Sequence, residues 1–191
     1  MLSRQEALLL LKKYLKNENT IKHLIATEAV MKALAKKFES DKQEAWAMAG
    51  LLHDIDYEQD LGKNHEKHGQ LSIEILKKEK ADLPEAVYSA IKAHCYGINS
   101  DYKPKNKMEW SIFICDSLTG LIVATALVRP DKKLSSVKVK SVMKKFKDKS
   151  FAAGTRREDI KLCEEKLGIP LPEFVEIGLK AMQEKSEELG L

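Results

Sequence analysis

Cysteine is scarce in this chain of 191 residues: Cys95, Cys115 and Cys163 are an odd number with no CxxC spacing. That excludes a disulfide framework and a cysteine-based zinc site, and it makes a reduced, cytoplasmic setting the expectation. Five prolines and nine glycines are too few for a collagen-like or low-complexity chain. Neither sign of charge dominates, since 33 basic residues face 29 acidic ones for a net +4. So weak an excess argues against nucleic acid or an anionic membrane as the partner. The N-terminal apolar run covers only residues 7–11 and has no small-residue cleavage pattern, so it does not read as a signal peptide. Long apolar runs are also few. One, at residues 110–128, is long enough to span a bilayer, with Asp116 as its single charge. An aspartate at a span centre costs about 2.5–3.5 kcal/mol on the insertion scale. Ser111, Ser117, Thr119, Gly120 and Thr125 dilute the run further, so it reads as the central buried helix of a soluble bundle.

What is present points to one all-α domain over residues 1–191. Apolar residues make up 43% and charged residues 32%, enough for both a core and a solvated surface. Ser3 and Glu6 form a capping box ahead of Ala7, Leu8, Leu11, Tyr14 and Leu15 at helical spacing. Asn19 or Thr20 opens a second helix, with Leu24, Thr27, Met31, Leu34, Ala35 and Phe38 on one side. Asp41 with Glu44 caps a third, apolar on every face over residues 46–52. A polar loop at 56–64 leads into a fourth helix running to about Lys80. Asp82, Pro84 and Glu85 start a fifth that ends near Cys95, and 97–107 reads as loop. After Pro130 the lysine-rich stretch 132–149 reads as helix. Thr155 with Glu158 caps another, closed by Gly168 and Pro170, and 171–189 is the last. Residues 1–129 are thus a core and 130–191 an extension expected to pack on it.

The five histidines all lie between positions 23 and 94. His23 sits in the second helix, His53 with Asp54 at the end of the third, His68 in the first turns of the fourth and His94 near the end of the fifth. Asp116 is the lone charge of the most apolar helix. Each alone reads as a hydrogen-bonded core residue. Together, five helices each bring an imidazole or a carboxylate out of an apolar stretch. Burying so many ionisable groups without partners costs several kcal/mol. A divalent cation removes that cost, because neutral imidazoles and carboxylates are its ligands.

In this order the residues resemble the HD-domain superfamily of metal-dependent phosphohydrolases. The surroundings are similar too: AGLLHDIDY at the doublet, HGQLSIEIL, AIKAHCYG and ICDSL. The resemblance spans about residues 20–125 and implies an HD-type helical bundle. It implies a first metal on His23, His53, Asp54 and Asp116, and a second on His68 and His94. The Asp54 carboxylate, the catalytic residue, would bridge the two. Two divalent transition-metal ions are implied, Fe or Mn ahead of Zn, Co or Ni. The reaction implied is attack of a metal-activated hydroxide on a phosphate ester or anhydride of a nucleotide or related small metabolite. The full set of six is closer to the HD enzymes that split diadenosine polyphosphates than to the single-metal deoxynucleotidases. Two other readings share the scaffold: a diiron oxygenase of the myo-inositol-oxygenase type, and a non-catalytic nucleotide-binding regulatory module.

The chain departs from the frequent His-Asp-Ile-Gly-Lys pattern by carrying Asp56 and Tyr57. Lys63 can replace the missing lysine or be a solvated loop residue. His65 can donate a proton to a leaving group or be an exposed loop histidine. Cys95 and Cys115, beside two of the six residues, read as packing. Two basic clusters are candidates for phosphate: Lys103, Lys105 and Lys107 in one loop, and Arg156 and Arg157 after Thr155. Ordinary solvated charge is the alternative for both.

Overall fold

A computed structural model describes residues 1–60 and 66–191. Helix α1 (Arg4–Tyr14) starts with the Ser3–Glu6 box: the Glu6 amide donates to Ser3 Oγ, and the Ser3 amide donates to the Glu6 carboxylate. α2 (Glu18–Phe38) opens earlier than the pattern suggests, because Asn17 accepts from the Asn19 amide at 2.9 Å. α3 (Gln43–Leu52) lacks the Asp41–Glu44 box. A 3-10 turn, Ser40–Lys42, leads into it without a side-chain cap, and Glu44 pairs with Lys32 instead. A short α4 (Tyr57–Asp60) stands within the polar loop read at 56–64. α5 (Gln70–Lys78) and α6 (Glu85–His94) follow. α7 (Lys107–Leu127) begins where Asn106 accepts from the Glu109 amide at 3.0 Å.

Beyond Pro130 lie α8 (Val139–Lys147), α9 (Arg157–Leu162), α10 (Leu171–Gln183) and α11 (Ser186–Leu189). The Thr155–Glu158 box does not form, since α9 starts without a side-chain cap and Glu158 pairs with Lys161 at 2.9 Å. α9 widens into a π turn, Cys163–Leu167, and Gly168 ends it in the left-handed conformation. Among the described residues no strand occurs, only an isolated bridge between Tyr96 and Ser100. The fold is an all-α bundle.

Two features of this bundle place the site. α7 runs through the middle. It is the one described helix long and apolar enough to cross a membrane, yet 67% of its most apolar window is buried inside the protein. α3 lies close against α2 at Gly50, where a Cβ would come within 2.8 Å of the Thr27 carbonyl oxygen and the Glu28 nitrogen. The missing side chain lets the backbones approach and carries the end of α3 up to the middle of α2. The C-terminal helices cover α2 and α7. Phe174, Val175 and Met182 of α10 are buried, and Gly178 lies under Leu118 and Ile122 of α7. Burial of each large side chain stabilises the packed state by about 1.5–3 kcal/mol.

Candidate metal centre

The six residues singled out in the sequence converge. The Asp54 carboxylate is the hub: its Oδ1 lies 3.2 Å from Nε2 of His53, of His68 and of His94. Its Oδ2 faces His23, whose Nε2 is 3.9 Å away. His23 Nε2 is 3.0 Å from Asp116 Oδ1, and His53 Nε2 is 3.6 Å from the same oxygen. On the other side, His68 and His94 meet with their Nε2 atoms 3.2 Å apart. The side chains thus form two groups, His23–His53–Asp116 and His68–His94, with Asp54 between them. Depth varies across the centre. His53 and His94 are buried, whereas His23 and Asp116 are about a quarter exposed (27% and 24%), so the centre opens to solvent on their side.

The other ring nitrogen of each of the four histidines of the centre is occupied. Nδ1 of His53 donates to the Gly50 carbonyl at 2.9 Å, and Nδ1 of His94 donates to the Ile91 carbonyl. A carbonyl only accepts, so both rings carry their proton on Nδ1. His68 Nδ1 donates to Asp56 Oδ1 at 2.9 Å. For His23 the partner is Thr119 Oγ1 at 3.2 Å, whose own hydrogen goes to the Asp116 carbonyl at 2.8 Å, leaving the hydroxyl to accept. All four Nε2 atoms therefore point inward, oriented as in protein metal sites. His53 Nε2 and Asp54 Oδ1 are buried without a hydrogen bond. Two orphaned, inward-facing ligand atoms are what a cation would satisfy, and the donor set fits divalent transition metals.

Within the centre, imidazoles and carboxylates shift one another's pKa. Burial pushes His53 down, but Asp54 and Asp116 outweigh it and bring it up to about 9. Burial likewise opposes His68, and the nearby carboxylates of Asp54 and Asp56 prevail, raising it to about 10. Burial prevails at His94 and lowers it. Burial works to raise both Asp54 and Asp116. The neighbouring imidazoles prevail in each case and hold the carboxyls well below the usual carboxylate range.

One residue of the site went unassigned in the sequence. Asp56 is fully buried. Besides His68, it accepts from the amides of Gly69 at 2.7 Å and Ser72 at 3.1 Å. His68 itself precedes α5, not within its first turns, because the chain turns at Gly69 with φ +77°. A Cβ there would lie 2.6 Å from Cys95 Sγ. The signal available was the second aspartate of His-Asp-Ile-Asp: a metal-binding histidine usually donates its far nitrogen to such a group.

The remaining candidates separate cleanly. Cys95 lies beside His68 and His94, but burial pushes its thiol up and the sulfur donates to the His68 carbonyl at 3.3 Å. Cys115 is buried packing. Lys105 lies over the Tyr102 ring, and Lys107 donates to the Lys166 carbonyl, so these two do not gather over the centre. Arg157 is structural, spanning the carbonyls of Phe146, Asp148 and Thr155 among others. Arg156 reaches the centre, with Nη2 3.8 Å from Asp116 Oδ2. Lys63 and His65 lie outside the described residues.

A concavity of about 630 Å³ adjoins the His68–His94 side, lined by His68, Cys95, Tyr88, Lys92, Asn99 and Tyr102 among others. A shallower one, about 340 Å³, adjoins the open side at Asp116, Ser117 and Gly120.

No solved structure matches this chain. A family model, HD domain, matches residues 20–121. That span covers more than half of the 191 residues and contains all six converging side chains. With the helical bundle and the gathered histidines and aspartates in agreement, the chain belongs to the HD-domain superfamily of metal-dependent phosphohydrolases.

Proposed function

We propose that this protein is a binuclear phosphohydrolase that cleaves a phosphate ester or anhydride of a nucleotide or related phosphorylated metabolite. The supporting observation is the placement of Asp54 Oδ1 at 3.2 Å from three imidazole nitrogens that belong to two different clusters. Within this donor set only the carboxylates can serve two cations at once, because each has two oxygens, whereas each imidazole has its Nδ1 engaged and a single nitrogen left to bind. On this reading His23, His53, Asp54 and Asp116 hold one divalent transition-metal ion. His68, His94 and the shared Asp54 hold the other. Such a pair, when bound, lowers the pKa of a water molecule and polarises a phosphoryl oxygen. The protein's part is positional. Gly50, Ile91, Thr119 and Asp56 each fix one imidazole so that Nε2 faces inward, and no ring needs to reorient for binding. The partly exposed edge at His23 and Asp116 is the side from which a substrate enters.

Metal content per chain, measured beside activity on a panel of phosphorylated compounds, tests this. Protein from metal-replete medium is expected to carry more than one equivalent of Fe, Mn, Zn, Co or Ni. Asp54→Ala is expected to lose both ions and all activity, and His94→Ala mainly the second ion. Equal and complete metal loss in both variants would refute the two-site division. Dioxygen consumption by the iron-loaded protein, with no hydrolysis, would replace the hydrolase by the oxygenase.

A further inference from the structure

The C-terminal extension lies outside the matched family region, yet one of its side chains enters the centre. Arg156 is held by its Nε, which donates to Ser117 Oγ at 3.4 Å and pairs with Asp159 Oδ2 at 3.0 Å. Its guanidinium lies over the Phe113 ring, with the carbon 5.4 Å from the ring centroid. Three contacts therefore fix its plane. Nη2, in contrast, makes no hydrogen bond although it is buried, and it stops 3.8 Å short of Asp116 Oδ2. Asp116 presents its other oxygen, Oδ1, to His23 and His53. Arg156 thus stands at the open side of the centre, next to the concavity at Ser117 and Gly120.

Nη2 lies within ion-pair range of Asp116 but makes no hydrogen bond to it, so the N–H groups at this end of the guanidinium still lack an acceptor. With cations in place, Asp54 and Asp116 are taken up by them. A guanidinium at the same rim then stands beside excess positive charge, and an anion between them relieves it. Phosphoryl oxygens have the charge and geometry for that position, since a guanidinium offers a planar, charged set of donors.

We infer that Arg156 is the substrate-anchoring residue of this enzyme, holding a phosphoryl group of the substrate at the His23–Asp116 side of the centre, with Asp159 and Ser117 as its positioning residues. The inference rests on the hydrolase reading above. It also gives the extension a role in binding as well as in packing.

The probe is inorganic phosphate, titrated into metal-loaded protein, with metal content measured on the same samples. Arg156→Gln is expected to weaken phosphate binding by about 10- to 100-fold, the range of a charge-assisted hydrogen bond. Metal content per chain is expected to stay that of the wild type. Arg156→Lys, which keeps the charge without the planar fork, is expected to recover part of the affinity, and it carries the test if the glutamine variant misfolds. Equal phosphate affinity in wild type and both variants would overturn the assignment alone. Loss of phosphate binding in step with loss of metal would overturn it too, showing that Arg156 acts by holding Asp116. A metal-loaded wild type indifferent to phosphate would overturn the hydrolase reading together with this assignment.

Discussion

At the scale of single residues, two of the imidazoles that would hold cations, His53 and His68, bind protons more tightly than usual. His53 is raised to about 9 and His68 to about 10, from an ordinary value near 6.5. A group raised on folding contributes stability that is complete below its unfolded value and is lost as pH climbs through the folded one. The chelated protein should therefore lose stability steadily from about pH 7 to pH 10. On the acid side the signs reverse. Asp54 and Asp116 are depressed, so their contribution is present above about pH 4 and is lost as pH falls further. Lowered His94 weakens the fold below its ordinary value as well. Thermal melts across this range on chelated protein check the shape. Metal added at pH 7 to weakly buffered, chelated protein should release about two protons per chain, because imidazolium cannot be a ligand. Uptake without acidification would mean that His53 and His68 are already neutral.

At the scale of elements, α5 shows why part of the site was legible in the sequence and part was not. His23, His94 and Asp116 sit in helices and His53–Asp54 directly follow one, in apolar surroundings where an ionisable group stands out, whereas His68 lies in a turn ahead of α5 and is legible only from the HGQLSIEIL pattern. Helix starts were less legible. Ser3–Glu6 forms as a box, whereas Asp41–Glu44 and Thr155–Glu158, which have the same spacing, do not. Their glutamates have lysine partners on the surface, and three-residue spacing alone cannot foresee that competition. α5 has no local side-chain cap, since its N-cap is Gly69. Its first amides go to Asp56, thirteen residues upstream of Gly69. A cap supplied from another element has no local pattern. The same carboxylate orients His68, so one side chain couples the helix start to the histidine cluster. Asp56→Asn is expected to lower affinity at the His68–His94 site by about 10- to 100-fold while sparing the His23–Asp116 site. Asp56→Ala also strands buried donors and should cost about 1–3 kcal/mol in urea unfolding. A variant with wild-type metal content and stability would rule out this double role.

At the scale of the molecule, the extension packs on the core that carries the six side chains. α10 packs on both α2, which carries His23, and α7, which carries Asp116, and Gly178 permits the close contact with α7. Phe146 and Val142 of α8 and Ile160 of α9 are buried in the same core. The far end is tied back as well: Arg4 bonds both Glu28 of α2 and Glu188 of α11, at 2.6 Å each. Deleting residues 130–191 would therefore bare an apolar side of α7, the most apolar helix of the chain, together with part of α2. Each large side chain left without its cover forfeits about 1.5–3 kcal/mol, and a domain's whole stability is only about 5–15 kcal/mol. Truncation at Pro130 is expected to give an insoluble or non-cooperatively melting product, although the fragment retains all six side chains of the centre. Solubility, calorimetric melting and metal content of the 1–129 fragment decide it. A soluble fragment that melts cooperatively and carries two metals would show that the core stands alone. Phosphate binding by that fragment at the affinity of the full chain would further show that the centre needs nothing from Arg156.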